Sequence, residues 1–160
     1  MTEWVYDAAD EAATERLGHA LAACLAPGSV VALTGTLGAG KTRLVQAVAA
    51  ACGVPKHEVV SPTFVLCQHY AGQRPIHHLD AYRLNSAEEL QAIGVEELWD
   101  SPAWTFIEWA DRVAAALPEE YLQVEMVVTG PTTRRVVVRP VGARYQPVVQ
   151  QLRSLLAPEG

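Results

Sequence analysis

Lysine is nearly missing from this 160-residue chain: Lys41 and Lys56 stand against ten arginines. Cysteine is scarce too. Cys24, Cys52 and Cys67 are odd in number and far apart; they form no C-x-x-C metal or redox pattern and suit a reducing cytoplasm. No apolar run approaches the ~20 residues of a membrane helix, so no membrane span is expected. Met1-Thr2-Glu3-Trp4 lacks the basic-then-apolar layout of a signal peptide. Positive charge is also short. The net charge is −6, and no basic face is evident beyond Arg134, Arg135 and Arg139. That argues against direct, strong grip on a nucleic-acid backbone. Half of the residues are apolar and a fifth are charged, and the length suits one domain, residues 1–160, with a core of its own.

One of the two lysines falls in Gly35-Thr36-Leu37-Gly38-Ala39-Gly40-Lys41-Thr42, which fits G-x-x-x-x-G-K-[ST], the phosphate-binding P-loop. With so little lysine, a chance match is on the order of one in a thousand, taking residues as independent. Ser29 to Thr34 precedes it as an apolar run of strand length. Arg43 to Cys52 follows with apolar residues on a helical period, and Gly53 and Pro55 stop that helix. Glycines free the loop of Cβ atoms, so backbone N–H groups and the helix N-terminus make a positive concavity for phosphate. Gly38, Ala39, Gly40, Lys41, Thr42 and Arg43 are the candidate nucleotide-binding run. Lys41 is expected on the β- and γ-phosphates and the Thr42 hydroxyl on Mg²⁺.

Along the rest of the chain, Glu3 to Asp7 reads as a short strand. A helix with Ala13, Leu17, Ala20, Leu21 and Cys24 on one face follows, capped by Asp7 or Asp10. Val59 to Phe64 reads as extended around Pro62. Phe64 to Tyr70 and Ile76 to Tyr82 form a hairpin through Ala71 to Pro75. Ser86-Ala87-Glu88-Glu89 is a capping box, and Val95 to Trp99 a further helical turn. Trp104 to Ile107 is a strand. Leu122 to Thr129 and Arg135 to Val141 are two more, before a helix from Pro147 to Leu156. Strands alternating with helices, plus hairpins, predict an α/β fold: one P-loop domain with a mixed, mostly parallel central sheet flanked by helices.

A P-loop needs a second, metal-side acid near the end of a neighbouring strand. Glu108 and Asp80 are the candidates. Ligands of open α/β sheets bind outside the carboxyl ends of strands, which favours Glu108; the placement of Asp80 depends on which way its strand runs. Thr63 lies where a loop sensing γ-phosphate would sit. His69, His77 and His78 are close in sequence. Adjacent strand residues point to opposite faces, which disfavours a compact metal cluster. Trp109, beside Glu108, reads either as a core aromatic or as lining the site, with the core as the default.

Together, Gly-Thr-Leu-Gly-Ala-Gly-Lys-Thr (35–42), Ser-Pro-Thr-Phe (61–64), His-Leu-Asp-Ala-Tyr-Arg-Leu (78–84) and Ile-Glu-Trp (107–109) resemble, in order, the motifs of the TsaE (YjeE) family. The resemblance runs from about Thr14 to Trp109. It implies a P-loop ATPase using ATP and Mg²⁺, with ADP as product. It implies TsaB–TsaD as partner complex, which attaches a threonylcarbamoyl group to adenosine beside the anticodon, and only indirect contact with tRNA. By position it implies Lys41 and Thr42 at the phosphates and Mg²⁺, Glu108 as the metal-side acid, and Lys41, Asp80 and Glu108 as the catalytic set. Asp80 forms a signature with Tyr82 and Arg83, and Thr14 lies near the nucleotide. Thr36 stands where the family usually has Asp, Ala110 where it has Pro, and Arg134 or Arg135 where it has a Gly-Arg motif. Two other readings remain open: a small-molecule kinase, for which no lid insertion is visible, and a nucleotide-binding module without hydrolysis, which the presence of both acids disfavours.

Overall fold

Apolar runs in this chain come in two kinds, and each dictates where its strand lies. Val30–Gly35 (β2) and Trp104–Glu108 (β5) are apolar almost throughout and are buried on both faces, as central strands of a parallel sheet must be. Tyr121–Val128 (β6) alternates half-buried and buried positions along its first six residues, as a strand covered on one face does. The computed structural model describes residues 3–36, 38–59 and 67–157. Its other strands are Trp4–Ala8 (β1), Cys67–Tyr70 (β3), Ile76–Asp80 (β4) and Arg134–Val141 (β7). Its α-helices are Glu11–Cys24 (α1), Lys41–Ala51 (α2), Ala87–Ala92 (α3), Val95–Trp99 (α4) and Gln146–Leu155 (α5).

The seven strands form one sheet in the order β1-β7-β6-β2-β5-β4-β3. β6, β2, β5 and β4 are parallel neighbours; β7 and β3 run against them, and β1 runs against β7. Five of the seven strands therefore point the same way, and the mixed, mostly parallel sheet expected from the sequence is present. β4 is parallel to β5 with Asp80 opposite Glu108, which settles the direction on which the placement of Asp80 depended. Both acids end their strands at the same edge, beside the end of β2.

Each face has its own core. On one, Val31, Leu33, Phe106, Leu122 and Val124 pack against Leu17 and Leu21 of α1, Leu44 and Val48 of α2, and Leu152 of α5. On the other, Ala32, Leu79 and Ile107 pack against Leu90 of α3, Val95 of α4 and Val113 of the 3₁₀ segment Ala110–Ala116. The α2 helix, which opens the candidate site, is held by α1 at close range. A Cβ on Gly18 would lie 2.4 Å from that of Ala47.

Local signals match their elements. The Asp10 side chain accepts from Ala13 N–H and caps α1; Ser86 accepts from Glu89 N–H and caps α3. The hairpin at residues 71–75 joins β3 to β4. The 3₁₀ segment was not foreseen, because Ala110 to Ala116 carries no capping residue or helical period at its start. Among the described residues no helix is long and apolar enough to cross a membrane.

Candidate nucleotide site

β2 ends at Gly35 and α2 begins at Lys41, so the glycine loop spans a strand's carboxyl end and a helix's N-terminus. Gly40, at φ 105°, turns the chain into the helix. Helical bonding starts with Leu44 N–H donating to Gly40 O. The N–H groups ahead of it are the donors that a helix start leaves for an anion. Lys41 folds back over the loop: its ammonium donates to Gly35 O at 2.7 Å and Thr36 O at 3.0 Å, and lies 4.0 Å from the centre of the Trp109 ring. Burial holds the Lys41 pKa below the ordinary lysine value, against the opposing charges of Glu108, Asp111 and Asp80.

Thr42 follows on the first turn of α2. Its hydroxyl lies 3.1 and 3.0 Å from the two carboxylate oxygens of Glu108. Asp80 sits on the neighbouring strand, 7% exposed, its carboxylate accepting from Tyr82 N–H at 2.8 Å. Burial pushes its pKa above the ordinary carboxylate value. The Tyr82 N–H opposes that shift, and the Glu108 charge adds to it. These residues line a cleft of ≈ 430 Å³, within the range of small-ligand sites.

The candidate residues converge. Thr14, Gly38, Ala39, Gly40, Lys41, Thr42, Arg43, Asp80 and Glu108 all line that one cleft. Arg43 turns outward at the rim into an ion pair with Glu11 at 3.0 Å, both side chains largely exposed, an arrangement of small energetic worth. Thr63 lies outside the described residues. Two carboxylates and one hydroxyl make a hard, all-oxygen donor set. That suits Mg²⁺, which uses one or two carboxylates with substrate phosphates and keeps its waters. Among the described residues no group of three or more His, Cys, Asp or Glu could hold a metal by itself.

The contacts of three neighbours were not legible in the sequence. Trp109, for which the core was the default reading and the site the alternative, is half-buried against the core and stands on the cleft wall at φ 59°. A tryptophan rarely adopts that left-handed conformation, and such strain gathers at functional sites. Its ring meets Tyr82 at 5.0 Å between centroids. Arg134 donates to Gly38 O, Ala39 O, Gly130 O and Thr133 O at 2.8–3.2 Å. It therefore straps the glycine loop to the β6–β7 turn, whereas Arg135 pairs with Asp7. His78 is wholly buried, its Nε2 2.5 Å from Glu108 Oε2.

The raised Asp80 pKa carries a stability consequence. A carboxyl group whose native pKa exceeds its unfolded value of ~3.9 destabilises the native state wherever it is ionised. The penalty is complete above the native pKa and disappears below the unfolded one. Asp80→Asn keeps an oxygen for Tyr82 N–H and removes the charge. We expect it to raise the melting temperature of the ligand-free protein by a few degrees at pH 7, with the gain shrinking as pH falls towards 4. A lowered melting temperature at pH 7 contradicts that account.

A glycine loop that carries its lysine from the end of a central parallel strand into a helix start separates P-loop proteins from other α/β sheets. By that criterion this is a P-loop protein. Sequence comparison narrows the class. Residues 8–136 match the family described as "Threonylcarbamoyl adenosine biosynthesis protein TsaE", and the chain belongs to the TsaE family, in tRNA threonylcarbamoyladenosine biosynthesis. The tRNA threonylcarbamoyladenosine biosynthesis protein TsaE of Treponema pallidum is 38% identical over 125 residues, 78% of this chain and 92% of that protein. Its Bacillus subtilis counterpart is 33% identical over 140 residues, 87% of each chain. The crystal structure of Bacillus subtilis YdiB superposes with a TM-score of 0.80 at 27% identity, covering 96% of this chain and 95% of that one.

Proposed function

We propose that this chain, acting as a single domain over residues 1–160, is a cytoplasmic Mg²⁺-dependent ATPase. It supports a TsaB–TsaD complex in the threonylcarbamoyladenosine modification of tRNA and touches the tRNA only indirectly. The observation that carries the reading is the Thr42–Glu108 contact at the head of α2, with Lys41 in the same cleft. Lys41 would leave its loop carbonyls for the β- and γ-phosphates. The loop N–H groups from Gly38 to Arg43 would cradle the phosphates, and Thr14 would lie beside the nucleotide. Thr42 and Glu108 would hold Mg²⁺, which when bound neutralises charge on the phosphates. Asp80 would orient groups around them, and ADP would remain in the cleft after hydrolysis.

P-loop NTPases that lack their completing partner turn over slowly, on the order of 10⁻⁴ to 10⁻² s⁻¹. Feeble turnover alone and stimulation by TsaB–TsaD are therefore expected; fast transfer of phosphate to a small acceptor would instead indicate a kinase. Binding is tested separately. Charge-assisted phosphate contacts are worth about 1.5–3 kcal/mol, so Lys41→Ala should weaken ATP binding roughly 10- to 150-fold by calorimetry. Unchanged affinity in a folded Lys41→Ala protein removes the reading.

A further inference from the structure

Among the described residues, the face of the sheet under α2 carries a row of polar side chains across β3, β4 and β5. Residues directly opposite each other on neighbouring strands share a face. Gln68 lies opposite His78, Tyr70 opposite Ile76, and Asp80 opposite Glu108. Gln68, Tyr70, His78, Asp80 and Glu108 thus share that face, beside Ile76, Phe106 and Leu33. His78 is 0% exposed, Glu108 3% and Tyr70 6%. His78 Nε2 lies 2.5 Å from Glu108 Oε2, and His78 Nδ1 lies 2.8 Å from the Tyr70 hydroxyl. The Tyr70 hydroxyl oxygen also lies 2.7 Å from Gln68 Oε1. The row crosses β3, β4 and β5 and ends at the carboxylate that meets Thr42.

We propose that His78 is a positioning residue for Glu108, acting on the site through that carboxylate and not on the nucleotide. This rests on the reading of Glu108 as the metal-side acid. An ionised carboxylate only accepts, so the imidazole nitrogen that faces it carries the hydrogen. Oε2 is thereby tethered on the core side, and the carboxylate is left turned towards Thr42 and the cleft. A glutamate has three side-chain torsions, and Asp80, of like charge, stands beside it. With no donor at Nε2, Oε2 would keep only the Thr42 hydroxyl, which it shares with Oε1, and its side towards the apolar core would be left without a partner, a costly arrangement. The carboxylate would swing to other rotamers. Tyr70 closes the far side of the imidazole and fixes its ring plane, as outer partners of metal-site ligands commonly do.

The test compares two substitutions of similar bulk: His78→Gln retains an N–H donor close to the Nε2 position, and His78→Met removes it. Mn²⁺ serves as the probe. Its affinity is measured by electron paramagnetic resonance on the full chain with saturating ADP, alongside nucleotide affinity by calorimetry and turnover at saturating ATP. Loss of an outer partner costs about 10–100-fold in metal affinity or activity. His78→Met should weaken Mn²⁺ binding at least tenfold and lower turnover similarly, with ADP affinity measured without metal unchanged. His78→Gln should stay within about threefold of the parent. If the two variants bind Mn²⁺ equally, whether both like the parent or both equally weakened, the proposal fails. Should His78→Met not fold, Tyr70→Phe takes its place, with two- to threefold weaker Mn²⁺ binding expected and parental binding overturning the assignment. A parent that binds Mn²⁺ but hydrolyses no ATP removes the ATPase reading and leaves the Mn²⁺ comparison standing.

Discussion

Glu108→Ala should bind ATP within about tenfold of the parent, a loss of roughly 1.4 kcal/mol or less, and hydrolyse it at least about a hundredfold more slowly. The asymmetry follows from position. Glu108 ends β5 opposite Asp80, and both of its oxygens lie about 3 Å from the Thr42 hydroxyl. Binding is dominated by the groups around the phosphates: Lys41, the loop N–H groups and the head of α2. The carboxylate adds little attraction for a polyanion. Its expected contributions, to the metal and to the attacking water, matter mostly where charge develops. Removing it should therefore lower turnover more than affinity. Truncation also leaves the Thr42 hydroxyl and the His78 N–H without a partner, so a melting curve must accompany the kinetics. Glu108→Gln, which keeps the bulk and one accepting oxygen, separates lost charge from lost packing. Asp80→Ala is the comparison. Single-turnover assays at saturating ATP and Mg²⁺, with the partner complex present, distinguish the two acids. Parental hydrolysis by Glu108→Ala beside a dead Asp80→Ala would reverse their assignment.

How far the site could be read from the chain depended on whether its geometry is local. The P-loop is local: strand, loop and helix are contiguous, so Gly35 to Thr42 announced both the residues and their arrangement. Asp10 and Ser86 announced their helices in the same way, because a cap reaches only three residues along the chain. Asp80 was harder. Its usefulness depends on β4 running parallel to β5, and the order of strands in a sheet comes from packing across the whole molecule. His78 was harder still. Strand alternation correctly sent His77 and His78 to opposite faces, yet only the neighbours β3 and β5 bring Tyr70 and Glu108 to the imidazole. Trp109 fell to a different cause. Large aromatics are usually core residues, and only its left-handed backbone, set by the sharp exit from β5, turns the ring to the cleft wall beside Lys41. Arg134 was noted in the sequence as a stand-in for a family motif. What it does there, bonding to loop carbonyls some 95 residues away along the chain, depends on β7 lying two strands from β2.

Gly35→Ala should be the most damaging small substitution in the loop. Two independent costs meet there. Gly35 sits at φ +134°, a conformation that L side chains rarely adopt, and a Cβ on it would lie 2.3 Å from the main-chain oxygen of Met126. Gly35 and Met126 are opposite each other in the β2–β6 ladder. That oxygen belongs to a central strand and cannot withdraw without disturbing the pairing. Backbone strain of this kind costs of order 1–3 kcal/mol and overpacking typically 1–3 kcal/mol more, so about 2–6 kcal/mol together. For a chain of this length each kcal/mol lowers the melting temperature by roughly 2–4 °C. The expected fall is therefore about 4–24 °C. Function should suffer as well, because Gly35 O is one of the two carbonyls that hold the Lys41 ammonium. Gly38 supplies the control within the same loop. It too has positive φ, +80°, but a Cβ there would meet nothing within 4 Å. Gly38→Ala should carry only the left-handed cost of about 1–2 kcal/mol. Thermal melts of both variants without nucleotide decide the matter. If Gly38→Ala is as destabilised as Gly35→Ala, the close approach of β6 is not what demands glycine at position 35.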